Sequence, residues 1–400
     1  MLRLAIDGLA AGGDGVARDG DGRVVFVPGG LPGDRVEARV VSAKRRWARA
    51  ELVAVLEPSP QRIVPPCAHA RAGCGGCAWQ ALALDAQRSA KVQIVRDALA
   101  RVGGIADEGR VVAGPALEPW GFRTTVRAAV VEGRAALRRA GSHDALVLDA
   151  CPVAHPQVEA ALVHGRFGAA NEVTLRVGAA TGEGVALVDP SAHDVAGLPD
   201  GYAVVGRDEL DAGAPGPVLH EEVAGRRWRI SPRSFFQSRA DGTELLVERV
   251  GVALGAAAAA AGTAPPDHVV DAYGGVGLLS AAAPMAARVT LVESNASSIA
   301  DARVNLGAQA TVVHRRVERW APEPAAAVIA DPARAGLGAG GATVLAGTGA
   351  RVLVLVSCDA APFGRDAAEL ARHGFALGGS EVLDLFPHTP HVEVVSWFWR

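Results

Sequence analysis

The stretch Val269-Val-Asp-Ala-Tyr-Gly-Gly-Val-Gly277 joins an apolar strand to a glycine-rich turn and indicates the fold class of the C-terminal half. Glycines at such a turn let a ligand approach the backbone at the carboxyl end of a parallel sheet. The acid at the strand end, Asp271, would repel a pyrophosphate, and Glu293, closing the next strand, suits a ribose diol. A nucleoside without phosphates, S-adenosylmethionine, therefore fits best. The alternative is a glycine turn whose acids cap neighbouring helices.

Further apolar strands follow this motif at regular intervals. They are Arg288–Glu293, Ala326–Asp331 and Arg351–Cys358. Near-continuous apolar strands that alternate with helices are typical of a parallel sheet covered on both faces, so we expect a doubly wound α/β domain. Asp331 and Cys358 end their strands at the edge that carries the glycine turn, where open α/β sheets bind ligands. Cys358 is thus placed as a nucleophile, the alternative being a buried strand-end thiol.

One more carboxylate, Glu393, lies in an apolar segment near the C-terminus. A charge in such a segment is usually a solvated edge residue. Desolvation would instead raise its pKa and suit it to act as a base.

The five cysteines divide into a group of four and a single thiol. Cys67, Cys74 and Cys77 are close together, Cys151 follows, and Cys358 is far away. Soft thiolates at close and then distant spacing suit zinc or an iron–sulfur cluster, and both remain open at this point. The alternative is that these thiols are small buried hydrophobes.

Composition sets the broad class of protein. A chain of 400 residues exceeds the size of one core, so two or three domains are expected. The net charge of −3 gives no global attraction to nucleic acid, so RNA binding would need local patches. The longest apolar stretch, Val250 to Ala264, predicts a helix end or a loose linker and no membrane span. With no signal peptide, and with cysteines suited to metal binding or catalysis, a cytoplasmic location is expected.

The N-terminal third shows different patterns. Residues 2 to 57 predict about five short strands in a small OB-like barrel. The run Lys44-Arg-Arg-Trp-Ala-Arg49 combines phosphate-binding charge with a stackable indole, although a solvated loop is the alternative. Prolines between residues 58 and 66 form a linker, and Leu82 to Val102 fits one helix that Gly103-Gly104 would end.

Several motifs together resemble the RNA uracil-C5 methyltransferase family, the 5-methyluridine enzymes with a TRAM domain and an iron–sulfur cluster. The likeness spans most of the chain. Besides the barrel and the glycine turn, the motifs are Cys67…Cys74-Gly-Gly-Cys77-Ala-Trp79-Gln80, Gly121-Phe-Arg123-Thr-Thr-Val-Arg127, Arg138-Arg-Ala-Gly-Ser142-His143, Cys151-Pro152, Ser234-Phe-Phe236-Gln237, Asp331-Pro-Ala-Arg334, Ser357-Cys358-Asp359 and Phe386-Pro-His-Thr389-Pro-His391-Val-Glu393.

The resemblance implies a fold and an assignment of residues. It predicts a TRAM-like barrel over residues 1–58, a mixed central domain with an iron–sulfur site over 59–230 and a Rossmann-like class I methyltransferase domain over 231–400. It also implies the following roles: a 4Fe-4S cluster on Cys67, Cys74, Cys77 and Cys151; S-adenosylmethionine on Gln237, Tyr273, Glu293 and Asp331; Cys358 as the nucleophile; and Glu393 as the base.

The expected function is methyl transfer from S-adenosylmethionine to C5 of a uridine in a transfer or ribosomal RNA. No membrane and no obligate protein partner is implied. A non-catalytic iron–sulfur RNA-binding or assembly factor is the alternative from another class, and Cys358, Glu393 and Gln237 count against it. A radical S-adenosylmethionine protein would space its cysteines as Cys-x3-Cys-x2-Cys, unlike Cys67 and Cys74 here.

Overall fold

The structure is a computed structural model that describes residues 1–400. It contains a six-stranded N-terminal sheet, a six-stranded central sheet and an eight-stranded C-terminal sheet, together with two small two-stranded sheets. No helix is both long enough and apolar enough to cross a bilayer.

The N-terminal sheet is a small barrel-like unit of six strands, one more than the pattern predicted. Its strands are Leu2–Ala5 (β1), Gly8–Leu9 (β2), Gly15–Arg18 (β3), Val24–Val27 (β4), Arg35–Ala43 (β5) and Trp47–Glu57 (β6). Val36 and Ala38 of β5 are fully buried while Arg35 is exposed, an alternation typical of a half-buried strand. The alternation ends at Val40, which is exposed beside a register shift between β5 and β6.

The linker is fastened to the N-terminal unit by one buried carboxylate. Asp34 accepts hydrogen bonds from the backbone N–H groups of Leu31 (2.8 Å) and Ser59 (2.8 Å), and from Arg62 Nη2 (2.6 Å). The guanidinium and these N–H groups outweigh burial, so the pKa of Asp34 is lowered. Residues beyond the linker form Ala68–Arg71 (α1), Leu84–Arg101 (α2) and Val111–Ala113 (β7). Helix α2 confirms the helix predicted over residues 82–102.

The central sheet has the order β10-β9-β8-β12-β13-β15. Its region contains Thr125–Val131 (β8), Arg134–Arg138 (β9), Ala145–Val147 (β10), Pro156–His164 (α3), Arg166–Phe167 (β11), Glu172–Val177 (β12), Gly184–Asp189 (β13), Val195–Ala196 (β14), Tyr202–Gly206 (β15) and Arg207–Asp211 (α4). A core that includes Phe122, Phe167 and Leu175 lies beneath this sheet.

The C-terminal region is the doubly wound α/β domain that the apolar strands predicted. Its elements are Leu219–Val223 (β16), Arg226–Ile230 (β17), Ala240–Ala261 (α5), His268–Ala272 (β18), Arg288–Glu293 (β19), Ala296–Leu306 (α6), Ala310–His314 (β20), Ala327–Ala330 (β21), Gly338–Gly347 (α7), Val352–Ser357 (β22), Ala360–Arg372 (α8), Ala376–Leu383 (β23) and Glu393–Trp399 (β24), with short 3-10 helices at Leu278–Ala282, Gly307–Gln309 and Val317–Arg319.

The large sheet has the strand order β20-β19-β18-β21-β22-β24-β23-β7. Strands β18 to β22 pair in parallel, and β24 runs antiparallel between β22 and β23. One face packs against α5 and α6, and the other against α2, α7 and α8. Burial on both faces explains why these strands are apolar without alternation.

Two segments that precede residue 230, the expected start of the C-terminal domain, pack against that domain. Helix α2 packs on α8, and β7 pairs in parallel with β23, so residues 84–113 complete the C-terminal sheet. Strands β16 and β17 contribute Leu219, Trp228 and Ile230 to the core of the same domain. The packing of both segments therefore crosses that boundary.

Of the two alternatives predicted for Val250–Ala264, the structure shows the helix end and not the loose linker. Residues 250–261 form the second half of α5, and Gly262 ends the helix in the left-handed region with φ of 62°. Val250, Ala253, Leu254 and Ala257 are buried against the sheet. The small side chains let this helix pack on the sheet. The apolar composition alone did not show that packing.

Candidate active site

A cavity of about 610 Å³ opens at the carboxyl ends of the parallel strands. Its walls come from the glycine turn after β18, the ends of β19, β21 and β22, the segment before α5 and the start of β24. All six residues that the sequence predicted for catalysis and cofactor binding lie in this wall: Gln237, Tyr273, Glu293, Asp331, Cys358 and Glu393.

Two acidic side chains in the cavity wall, Asp271 and Glu393, are buried, and a third, Asp331, is half-buried. Burial raises the pKa of Asp271 to about 7, and burial together with the charge of Asp271 raises the pKa of Asp331 to about 7. Glu393 is only 3 % exposed, and burial, with a further contribution from Asp331, raises its pKa well above the usual value for a glutamate. A cationic ligand in the cavity would favour the ionised forms of these carboxyl groups.

Glu393 is the first residue of β24, a strand inside the sheet. It is thus not the solvated edge residue that the alternative interpretation required. Its desolvation is the condition under which a carboxylate becomes a stronger base.

Cys358 directly follows β22 and is half-buried in the cavity wall. Burial raises the pKa of its thiol to about 11, and the charges of Glu393 and Asp331 add to the effect. The Arg334 guanidinium lowers the pKa of the same thiol. The reactivity of Cys358 thus depends on the charges that surround it, as is usual for cysteine.

The side chain of Glu293 connects the glycine turn to the segment that follows β19. Its carboxylate accepts N–H groups from Gly275 (3.0 Å), Ser294 (2.5 Å) and Asn295 (2.6 Å). Position 274 requires glycine, because a Cβ there would lie 2.6 Å from Leu291 Cγ. Tyr273 lies in the left-handed region with φ of 60°, and its hydroxyl donates to Glu318 Oε1 at 2.9 Å.

The sequence interpretation missed a second set of cavity residues. Asp271 is fully buried, with one oxygen accepting from Ser280 Oγ at 2.5 Å and the other without a partner. Its position at the strand end was the available signal. Other residues in the wall that were not assigned are Arg233, Phe235, Phe236, Asn295, Ser298 and Phe386.

A buried hydrogen-bond network supports the segment that carries Gln237. The carboxylate of Asp301 accepts from Arg229 Nε (2.9 Å), from Ser231 N (2.7 Å) and from Ser234 Oγ (2.6 Å). Asp301 belongs to α6, so this helix fixes the chain just before Gln237. No sequence motif indicated this contact, because its partners are about 70 residues apart.

The four predicted ligands Cys67, Cys74, Cys77 and Cys151 line one small cavity in the central region. All are free thiols. Burial raises the pKa of Cys151 to about 11 and also raises that of Cys77, while Arg123 lowers both. Four soft donors and one cation fit an iron–sulfur cluster in chemical type. The structure has no group of three or more His, Cys, Asp or Glu side chains arranged to hold a metal ion, so the cluster stays a prediction from the sequence.

The basic run predicted for RNA contact lies between β5 and β6. Lys44, Arg45, Arg46 and Trp47 are exposed, and the indole of Trp47 packs edge-on against Phe26 with ring centroids 6.3 Å apart. The charged side chains and part of the indole are therefore accessible to solvent.

Comparison with known proteins agrees with this architecture. The TRAM domain model matches residues 1–53. An uncharacterised RNA methyltransferase of Gloeobacter violaceus is 33% identical over 450 residues, covering 100% of this chain and 96% of the relative. The 23S rRNA (uracil(1939)-C(5))-methyltransferase RlmD of Edwardsiella ictaluri is 31% identical over 434 residues, covering 100% of this chain and 95% of the relative.

Among solved structures, the tRNA (uracil-54, C5)-methyltransferase of Pyrococcus abyssi, in complex with S-adenosyl-L-homocysteine, superposes with a TM-score of 0.74. The match covers 99% of both chains at 24% identity, which supports the fold. The fold is therefore that of a Rossmann-like methyltransferase with an N-terminal TRAM domain. The chain belongs to the RNA uracil-C5 methyltransferase family, and its members use S-adenosylmethionine.

Proposed function

We propose that this enzyme methylates C5 of a uridine in structured RNA through a covalent adduct between Cys358 and C6 of the uracil, with Glu393 as the base. One observation carries the proposal. Cys358 and Glu393 lie in the wall of the same cavity as the four residues expected to hold S-adenosylmethionine.

Gln237, Tyr273, Glu293 and Asp331 are proposed to hold S-adenosylmethionine in that cavity. This molecule supplies an electrophilic methyl group on a positively charged sulfur. The nearby carboxyl groups of Asp331 and Asp271 suit a cation, because its charge favours their ionised forms. Glu293 offers carboxylate oxygens at the position where ribose hydroxyls are bound in related folds.

Cys358 is needed because uracil C5 is too weak a nucleophile to take a methyl group directly. Addition of the thiolate forms the S–C6 bond and moves the C5–C6 π electrons into an enolate, so that C5 can attack the methyl group. The thiol must first lose its proton. The positive charge of Arg334 and of a bound sulfonium would both lower the pKa that burial raises.

Glu393 completes the reaction after methyl transfer. C5 then carries both a methyl group and a proton, and the Glu393 carboxylate takes that proton. The released electron pair restores the C5–C6 double bond and expels the Cys358 thiolate. A carboxylate buried beside Asp331 is suited to this step, since desolvation increases its proton affinity.

The four cysteines of the central region are proposed to hold a 4Fe-4S cluster. The support is their presence around one cavity and the guanidinium of Arg123, which would offset the negative charge of four thiolates. Free thiols in this number are also in keeping with a reducing, cytoplasmic location. The Cys358 thiol stands apart from this group, at the other cavity.

The RNA substrate is proposed to be large-subunit ribosomal RNA. Relatives above 30% identity include RlmD, whose name specifies 23S rRNA, whereas the transfer RNA enzyme shares only 24%. The exposed Lys44–Trp47 segment supplies charge for phosphates and an indole for stacking. A uridine in folded RNA must also be unstacked before it can reach Cys358.

Binding of S-adenosylmethionine should become stronger as the pH rises through 7. Below that pH Asp271 and Asp331 are mostly neutral, and above it they are ionised and attract the sulfonium. From pH 6 to pH 8 the affinity ratio of S-adenosylmethionine to neutral S-adenosylhomocysteine should rise about tenfold for one linked proton. Titration calorimetry measures both ligands. Asp331→Asn should weaken the pH dependence, and a constant ratio would contradict this electrostatic account.

Cys358→Ala should abolish methylation and any covalent RNA adduct, because no thiolate remains to activate C5.

Glu393→Gln should permit addition and methyl transfer but stall before elimination, because an amide does not take the C5 proton. The stalled methylated RNA would migrate slowly on a denaturing gel and modify the Cys358 peptide in mass spectrometry. Glu381→Gln, an acid of β23 outside the cavity, is the matched control. Wild-type turnover by Glu393→Gln without a trapped adduct would show that another residue is the base.

Anaerobically purified protein should contain about four irons per chain, and its cluster should absorb light at about 400 nm. Cys74→Ser should lower the iron content, whereas Cys358→Ala should retain it. Metal analysis and absorption spectra provide the measurement. Stoichiometric zinc in place of iron would refute the cluster.

Deletion of the gene should remove one 5-methyluridine from 23S rRNA, and mapping of modified nucleotides in total RNA would show it. The wild-type gene should restore the modification, and a Cys358→Ala copy should not. Loss of 5-methyluridine from transfer RNA alone would exclude the ribosomal substrate.

A further inference from the structure

The loop between β23 and β24 contributes to the active-site cavity at two points. Phe386 lies in the cavity wall, and Glu393 follows the loop as the first residue of β24. The conformation of residues 384–392 therefore determines where both side chains stand. Nothing in the proposed chemistry explains what holds this loop.

Two buried side chains of α2 bind the loop. Lys91 Nζ donates to Asp384 Oδ1 at 2.6 Å and to the carbonyl oxygen of Phe386 at 2.8 Å. Gln87 Oε1 accepts the backbone N–H of His388 at 2.7 Å. Gln87 and Lys91 are four residues apart, so both point from one face of the helix. Both are fully buried.

Gln87 also connects the loop to the segment that follows the cysteines. Its Nε2 donates to the carbonyl oxygens of Trp79 (3.1 Å) and Leu82 (2.7 Å). The backbone N–H of Trp79 in turn donates to the carbonyl oxygen of His388 at 2.8 Å. Both backbone groups of His388 are thus bound, one by the Gln87 side chain and one by Trp79.

The loop conformation is one that needs such support. His388 has a φ of 67°, in the left-handed region that side chains rarely adopt. Its ring lies against Trp120, with centroids 4.2 Å apart. The contacts from α2 and Trp79 compensate for the unfavourable backbone conformation.

Stability of the fold alone does not explain a fully buried lysine. Apolar side chains of similar volume often replace a buried ion pair without loss of stability, because both charges must leave water. A specified loop geometry is a reason to retain the pair, since Lys91 binds two separate points of the loop, Asp384 and Phe386.

We propose that Gln87 and Lys91 are positioning residues that hold the β23–β24 loop and thereby place Glu393 for removal of the C5 proton. The proposal rests on the proposed function, in which Glu393 is that base. Neither side chain lies in the cavity wall, so both act through the loop.

The test compares Gln87→Leu and Lys91→Met in the full-length, metal-loaded protein. Gln93→Leu is the matched control, because Gln93 lies on the exposed side of α2 and bonds only Asp97. Rapid-quench single turnover with methyl-labelled S-adenosylmethionine separates formation of the methylated adduct from its release. Release should slow at least about tenfold in both variants, since a misplacement near 1 Å costs on the order of a hundredfold. Formation of the adduct and S-adenosylmethionine affinity should stay near the wild-type values.

Hydrogen exchange of the 384–392 peptide provides an independent measurement, and it should accelerate in Gln87→Leu but not in Gln93→Leu. If Gln87→Leu fails to fold, Gln87→Asn is used, because its shorter amide cannot span the same contacts. Wild-type release, or a parallel fall of adduct formation, adduct release and cofactor affinity, would overturn the positioning role.

Glu393→Gln in the same assay distinguishes the two proposals. If it traps adduct and the α2 variants do not, only the inference about Gln87 and Lys91 fails, whereas absence of trapping in Glu393→Gln would contradict the base assignment.

Discussion

The central physical constraint in this enzyme is the desolvation of three carboxyl groups around one cavity. Asp271, Asp331 and Glu393 each lose hydration, and each raises the cost of ionising a neighbour. A positive charge in the cavity relieves this cost, as a sulfonium would. Burial, followed by the charges of Glu393 and Asp331, also raises the pKa of the Cys358 thiol, so a positive charge in the cavity would act on the carboxyl groups and on the thiol together.

The loop before Glu393 joins three parts of the chain. Helix α2 binds it through Gln87 and Lys91, and the segment after Cys77 binds it through Trp79. Trp79 also donates its indole N–H to the carbonyl oxygen of Gly13 at 3.1 Å, which brings in the N-terminal unit. The parts expected to bind RNA, to carry the cluster and to perform catalysis therefore meet beside Glu393, the proposed base.

Much of the active site could be predicted from residues that end apolar strands. Glu293, Asp331 and Cys358 were found because the carboxyl ends of parallel strands share one edge of a sheet. Helix α2 followed from its periodicity and its terminal glycines. For Val250–Ala264 the sequence left a helix end and a loose linker open, because alanine and glycine composition does not show whether a helix packs on a sheet. Asp271 was not assigned to the site although it ends a strand beside the glycine turn, and the Asp301 network was missed, since no sequence motif indicates its long-range contacts.

The sequence by itself determined the class of sheet, the family, the separation of four cysteines from Cys358 and the residues at the strand ends, because these depend on local pattern and spacing. Only the tertiary structure decided that Glu393 is buried inside the sheet, that α2 and β7 join the C-terminal domain, and that Gln87 and Lys91 bind a loop about 300 residues away in the chain. The physical reason is that burial and long-range hydrogen bonds depend on which surfaces meet, and local periodicity carries no information about that.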